Sequence, residues 1–241
     1  MKIAPRPHVI FIDDGGTIND NRLRAEQWPR HVGEYLAPRL GRTPQAWAAA
    51  NREVFPHVWA DVGGRIDAFA THLEFLRTYD LAWIAGMCEA VGVPVPPDEA
   101  AIEIARGAHE HVSARVHAPI AGAPDAVRVL RDAGYTLHTA SGTPSRELEN
   151  LLARLGIRDC FGWVFGADLV DLPKGGPDFY RRIFAHAGVD PATALVIDDS
   201  ERACGWARQA GARAVCIRAA PADDAGQWTA ASLAEFASWL M

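Results

Sequence analysis

Two carboxylates follow an apolar run near the start of the chain, where an acidic side chain is well placed to do chemistry. The run Val9–Ile12 has no polar residue, which is typical of a strand buried on both faces of a parallel sheet. Residues 13–17 follow it as Asp-Asp-Gly-Gly-Thr. Ligands of open α/β sheets bind beyond the carboxyl ends of the strands, so Asp13 is a candidate reactive carboxylate. Taken alone, the same residues also fit the Asp-Gly turn of a hairpin.

Other polar residues follow later predicted strands or precede a predicted helix. They are Ser141, Lys174, Asp198 and Asp199. If the strands are parallel, their ends lie at one edge of a sheet. Carboxylates, a hydroxyl and an ammonium at one edge suit Mg²⁺ together with a phosphate group. Of the 24 basic residues only Lys2 and Lys174 are lysines, which supports a specific use of the Lys174 ammonium.

Alternating helices and strands predict the element that would bring these residues together. From residue 119 onwards we predict helices at 123–133, 145–155, 177–187 and 201–210, and strands at 135–139, 163–165, 194–197 and 214–217. This alternation predicts a doubly wound parallel sheet with right-handed crossovers. Residues 18–118 show helical patterns and no convincing strand. We therefore expect an α/β core from residues 1–17 and 119–241, with an inserted all-α domain at 18–118.

Composition excludes several classes of protein. The 241 residues are 49% hydrophobic, enough for a large core, and the net charge of −6 comes without the basic stripe of a nucleic-acid-binding protein. The four cysteines form no CxxC pair, which predicts reduced, buried thiols. No apolar run approaches the ~18 residues of a membrane span, and the N-terminus makes a poor signal peptide. We expect a cytoplasmic protein with no nucleic-acid or membrane partner.

Taken in their order along the chain, the polar motifs described above resemble those of the haloacid dehalogenase (HAD)-like hydrolase superfamily, in the branch with a helical type 1 cap. The family's DxDGT motif is similar to residues 13–17, its second motif to Ser141, its third to Lys174 and its fourth to the pair Asp198 and Asp199. The resemblance covers nearly the whole chain. It implies a Rossmann-like core with an all-α cap inserted after the first strand.

The resemblance also implies a role for each motif residue. Asp13 would be the nucleophile and a Mg²⁺ ligand, and hydrolysis would proceed through an aspartyl-phosphate. Lys174 would orient the nucleophile and offset its charge. The further metal ligands would be the backbone carbonyl of Gly15 and the carboxylates of Asp198 and Asp199. The phosphate contacts would come from Thr17, Ser141, Gly142 and Lys174.

Gly15 departs from the family's pattern. Phosphatases of this family carry a second Asp at that position as general acid and base, and positioned proton transfer is typically worth ~10²–10⁴-fold in rate. Asp14 is a poor substitute, because adjacent strand side chains point to opposite faces. Making Asp14 the nucleophile instead would break the spacing to Thr17.

Three functions remain open at this point. The favoured one is a Mg²⁺-dependent phosphohydrolase that acts on a small phosphorylated metabolite with a good leaving group or with a borrowed acid. A second is a metal-independent dehalogenase-type hydrolase, because halide leaves without a proton, although the pair Asp198 and Asp199 favours a retained metal. A third is a degenerate member that binds a phosphorylated ligand without turnover.

Overall fold

The sheet is built from short strands whose side chains are mostly apolar and buried. The computed structural model describes residues 7–218 and 228–240. In that part of the chain the strands are β1 (Val9–Ile12), β2 (Thr136–Thr139), β3 (Ala194–Asp198), β4 (Arg213–Ile217) and β5 (Trp228–Ala230). They form a parallel sheet in the order β2-β1-β3-β4-β5. The predicted α/β class with a parallel, Rossmann-like sheet is confirmed.

Helices occupy most of the remaining described chain. They are α1 (Asn21–Leu40), α2 (Pro44–Asp61), α3 (His72–Val91), α4 (Asp98–Ser113), α5 (Ala123–Asp132), α6 (Ser145–Arg154), α7 (Pro177–Ala187), α8 (Glu201–Gln209) and α9 (Leu233–Trp239). None of these described helices is both long enough and apolar enough to cross a bilayer.

The structure divides into two compact units. One contains Met1–Asn21, His117–Val170 and Lys174–Met241, and it holds the sheet. The other contains Arg22–Val116 and Asp171–Pro173, and its regular elements are helical. The ends of the predicted core ranges, at residues 1–6 and 241, lie outside the described residues, as do residues 219–227.

Strand β1 lies between β2 and β3, and this position sets the geometry of the sheet edge. Ile10, Phe11 and Ile12 are fully buried, as expected for a strand covered on both faces. Ile12 pairs with Thr139 of β2 and with Ile197 of β3. The residues that follow these three therefore emerge side by side at the carboxyl edge.

Helix α7 shows how local sequence fixes an element beside this edge. Pro177 is the first helical residue, where its missing N–H costs no hydrogen bond, and the helix ends at Gly188 with a left-handed φ of 65°. Its buried residues are Phe179, Tyr180, Ile183 and Phe184. This apolar face holds the helix in the core and fixes the direction of the loop before it.

The predicted strand at 163–165 is wrong. The segment runs beside β2, where Thr139 N–H donates to Trp163 O over 3.1 Å and Ser141 N–H donates to Phe165 O over 3.2 Å. However, the backbone N–H of Trp163 donates to His138 Nδ1 over 2.9 Å, so a side chain takes a bond that a sheet ladder would use. The segment is extended without being a strand of the sheet.

In the helical unit, α3 begins only after the segment Gly63–Ala68. Thr71 Oγ1 accepts a hydrogen bond from Glu74 N–H at 3.1 Å, a capping contact that starts α3 at His72. Residues Gly63–Ala68 form a short 3₁₀ helix. The four cysteines are buried and form no disulfide, as predicted.

Candidate active site

Lys174 connects two carboxylates at the carboxyl edge of the sheet. Its Nζ donates to Asp13 Oδ1 and to Asp198 Oδ2, each over 2.7 Å, and to the carbonyl of Ala140 over 3.0 Å. Asp13 follows β1, Ala140 follows β2 and Asp198 ends β3, so these contacts join three neighbouring strands. The side chain of Lys174 is 11% exposed and that of Asp198 1%, so the ion pairs lie in a poorly hydrated environment.

Asp199 brings a third carboxylate to this group. Asp13, Asp198 and Asp199 each offer an oxygen within 4.8 Å of the others, which is close enough for the three to bind one metal ion. A Cβ atom at Gly16 would overlap the Asp199 carboxylate, and Gly16 has a φ of 78°. Glycine is needed here both for the left-handed backbone and for the close approach of Asp199.

Burial and neighbouring charges shift the acidity of these groups. Burial raises the pKa of Asp13 to about 7, against the opposing effect of the Lys174 ammonium, and Asp198 raises it further. Burial lowers the pKa of Lys174, but Asp13 and Asp198 help to bring it well above its usual value. The pKa of Asp199 is raised by partial burial and then by Asp198. Lys174 is therefore a fixed cation, while Asp13 changes its charge near neutral pH.

Tyr180 is a polar neighbour that our sequence analysis missed. It is fully buried on α7, and its hydroxyl donates to Asp198 Oδ2 over 3.2 Å. A signal was present, because a buried tyrosine on an apolar helix face needs a hydrogen-bond partner. The sequence does not show which group that partner is.

The loop after β1 separates the two adjacent acidic side chains. The carboxylate of Asp14 is buried and accepts a hydrogen bond from Asn19 Nδ2 at 2.6 Å. The carbonyl of Asp14 also accepts from the N–H groups of Ile18 and Asn19. Asp14 is thus held inside the loop, whereas Asp13 contacts Lys174.

The remaining predicted site residues lie in the loops that follow β1 and β2. The hydroxyl of Thr17 is buried and has no hydrogen-bond partner within the described chain. The Oγ of Ser141, which follows Ala140, accepts from Thr143 N–H at 3.3 Å. A Cβ atom at Gly142 would lie 3.5 Å from Lys174 Cβ. Gly15 has no side chain, so its backbone carbonyl oxygen is the only atom with which it could bind a metal ion.

Curated and solved proteins similar to the chain include both phosphatases and dehalogenases. Hexitol phosphatase B of Escherichia coli K12 is 28% identical over 103 residues, which cover 43% of this chain and 46% of that protein. The matched part therefore spans less than half the length of this curated relative.

Two solved structures share the fold over nearly the whole chain. The magnesium-bound HAD-hydrolase YfnB of Bacillus subtilis has a TM-score of 0.67 at 17% identity, covering 98% of this chain and 99% of YfnB. L-2-haloacid dehalogenase of Xanthobacter autotrophicus, solved with chloropropionic acid covalently bound, has a TM-score of 0.60 at 17% identity, covering 96% and 97%. At these identities the similarity concerns the fold.

The family assignment rests on a match over most of the sequence. A family model described as haloacid dehalogenase-like hydrolase matches residues 8–211, a range that includes Asp13, Lys174 and Asp198. The chain therefore belongs to the haloacid dehalogenase-like hydrolase family.

Proposed function

We propose that the protein is a Mg²⁺-dependent phosphohydrolase that forms a phosphoryl intermediate on Asp13 and acts on a small phosphorylated metabolite. The contact of the buried Lys174 ammonium with both Asp13 and Asp198 carries the proposal. A fixed cation beside a nucleophilic carboxylate favours the ionised form of that carboxylate against the effect of burial, and it orients the carboxylate for attack. The similarity to hexitol phosphatase B supports a phosphorylated substrate.

The acidic group suits a hard divalent cation. Asp13, Asp198 and Asp199 offer carboxylate oxygens, the ligands that Mg²⁺ prefers, and the Gly15 carbonyl is a further candidate ligand. Three ionised carboxylates and one ammonium also give the group a net negative charge. Bound Mg²⁺ would supply Lewis-acid stabilisation of charge on the phosphoryl oxygens.

The side chains of the site then have separable tasks. An oxygen of Asp13 attacks phosphorus, the bond from phosphorus to the leaving oxygen breaks, and the leaving group departs with its electron pair. Water then attacks the phosphorus of the aspartyl-phosphate, which releases inorganic phosphate and restores the carboxylate.

The phosphoryl oxygens need polar contacts, and we propose that these come from Lys174, Thr17, Ser141 and the backbone of Gly142. The Thr17 hydroxyl supports this assignment because it is buried and lacks a partner within the described residues.

Gly15 restricts the substrate in this proposal. Without an acid at that position, leaving groups that depart as stable anions are favoured over alkoxides. Acyl phosphates and aryl phosphates are therefore the expected good substrates. We also propose that the helical unit acts as the cap that selects among them, and that the protein works in the reducing cytoplasm, consistent with its four unpaired cysteines.

Gly15 also favours a second candidate, a dehalogenase-type hydrolase. Halide needs no proton to leave, so that reaction would lose nothing from the missing acid. The carboxylate of Asp13 would displace halide from carbon, and water would then hydrolyse the resulting ester. Three carboxylates within metal-binding distance are not required by that chemistry, which is why we place it second.

The test is phosphate release from p-nitrophenyl phosphate and acetyl phosphate, with Mg²⁺ and with EDTA. We expect metal-dependent turnover that Asp13→Asn abolishes. Asp132→Asn is the matched control, because it removes an exposed carboxylate on α5, and it should retain activity. Failure of the native protein to release phosphate in either condition would reject this function. Halide release from 2-haloacids would then support the second candidate.

A further inference from the structure

The space beside Gly15 is already occupied by another polar group. A Cβ atom built on Gly15 would lie 2.7 Å from Oδ1 of Asn21 and 3.3 Å from its Nδ2. The carboxamide of Asn21 therefore packs directly against the α-carbon of Gly15. Both residues belong to the unit that holds the sheet, so this contact is internal to it.

The position of Asn21 matters because this chain lacks the general acid that phosphatases of the family carry at position 15. An aspartate at position 15 would begin at that Cβ and extend its carboxylate by two further bonds, into a region where the Asn21 carboxamide now lies. A carboxamide carries an N–H donor and a carbonyl acceptor but has no proton to transfer near neutral pH. It can hydrogen-bond a leaving oxygen or a water without acting as a general acid.

We propose that Asn21 takes the place of the missing carboxylate and hydrogen-bonds the leaving-group oxygen and then the attacking water. The inference rests on the proposed phosphohydrolase function and adds the residue that meets the leaving group. This role of Asn21 explains how a chain with glycine at position 15 still offers a polar contact to the leaving group. It also predicts that the acid can be restored from position 21 without changing Gly15.

Asn21 is also the first residue of α1, so a structural role has to be separated from a chemical one. Asn21 lies within the first turn of α1, where the helix dipole favours a carboxylate. Asn21→Asp therefore preserves the start of the helix while it replaces the carboxamide with a titratable carboxyl. Asn21→Ala also suits a helix, but it removes the polar group.

The test compares kcat/KM for substituted phenyl phosphates and an alkyl phosphate, glycerol phosphate, in Mg²⁺ across the pH range. In Asn21→Asp the rate for glycerol phosphate should rise at least about tenfold relative to p-nitrophenyl phosphate, since general acids contribute ~10²–10⁴-fold when ideally placed. This gain should fall as the pH rises and the new acid loses its proton. Asn21→Ala should lower kcat/KM for p-nitrophenyl phosphate by about threefold to tenfold, as for one lost hydrogen bond.

Two further variants sharpen the comparison. Gly15→Asp alone would bring its Cβ to 2.7 Å from Asn21 Oδ1, so it should gain less on glycerol phosphate than the double variant Gly15→Asp/Asn21→Ala. Asn150→Asp adds the same charge to α6 of the same unit and should keep the native preference among substrates.

The inference is overturned if Asn21→Asp and Asn21→Ala both keep the native dependence on leaving group and pH. It is also overturned if Gly15→Asp matches the double variant. Failure of the underlying function is distinguishable, because the native protein itself would then release no phosphate from any of the esters.

Discussion

Replacing Asp13 with asparagine should change how the stability of the metal-free protein depends on pH. Asp13 is buried, and its pKa is raised from 3.8 to about 7, chiefly by that burial. The folded state therefore binds a proton at this carboxyl more tightly than the unfolded state does. The stabilisation from this proton is complete below pH 3.8 and is lost as the pH rises through about 7. Asparagine is close in shape and does not titrate, so Asp13→Asn should not show this loss.

The size of the effect follows from the two pKa values. At ~1.4 kcal/mol for each tenfold difference in acidity, the full loss is roughly 4 kcal/mol of unfolding free energy. Between pH 5 and pH 8 roughly 2 to 3 kcal/mol of it should be observed. Asp13→Asn should therefore gain about that much stability relative to the native protein over this range.

The assay is urea unfolding in EDTA, followed by far-ultraviolet circular dichroism at several pH values. The quantity to compare is the difference between the two proteins, because titrating groups that do not interact with Asp13 contribute equally to both. Asp132→Asn controls for the change in net charge. A difference between Asp13→Asn and the native protein that stays constant from pH 5 to pH 8 would refute the raised pKa and the environment inferred for Asp13.

Two further predictions concern the groups around Asp198 and Asp199. Tyr180→Phe removes the hydroxyl that donates to Asp198. The value of kcat in saturating Mg²⁺ should therefore fall about threefold to tenfold, without loss of the fold. If kcat and its dependence on Mg²⁺ are both unchanged, this contact has no role in the reaction. Gly16→Ala places a methyl group against the Asp199 carboxylate at a left-handed backbone position, so the Mg²⁺ concentration for half-maximal activity should rise at least about tenfold. Gly64→Ala, where a Cβ meets no atom within 4 Å, is its control, and equal behaviour of the two variants would argue against Asp199 as a metal ligand.

The position of the sheet edge could be predicted because it depends on local patterns and on one general rule. The run Val9–Ile12 is apolar throughout, and the carboxyl ends of parallel strands share an edge. These two facts are sufficient to expect Asp13 near Asp198, and the structure has both in contact with Lys174. The chemical roles of these residues stay a proposal.

The features that escaped prediction depend on side-chain contacts that form only when the chain folds. The predicted strand at 163–165 failed because His138 accepts the hydrogen bond of the Trp163 N–H, a pairing across 25 positions that no local pattern reveals. The contact of Tyr180 with Asp198 joins α7 to β3 in the same way. The packing of Asn21 on Gly15 depends on the path of the loop between them, and only the folded chain shows it.

The most direct test of the account is to look for the phosphoryl group on Asp13. The native protein would be mixed with acetyl phosphate and Mg²⁺, quenched in acid during turnover, digested and analysed by mass spectrometry. We predict a peptide carrying one phosphoryl group on Asp13, which disappears once the substrate is exhausted and never forms in Asp13→Asn. Steady phosphate release with no phosphoryl group on Asp13, or with the group on Asp14, would contradict the proposed mechanism.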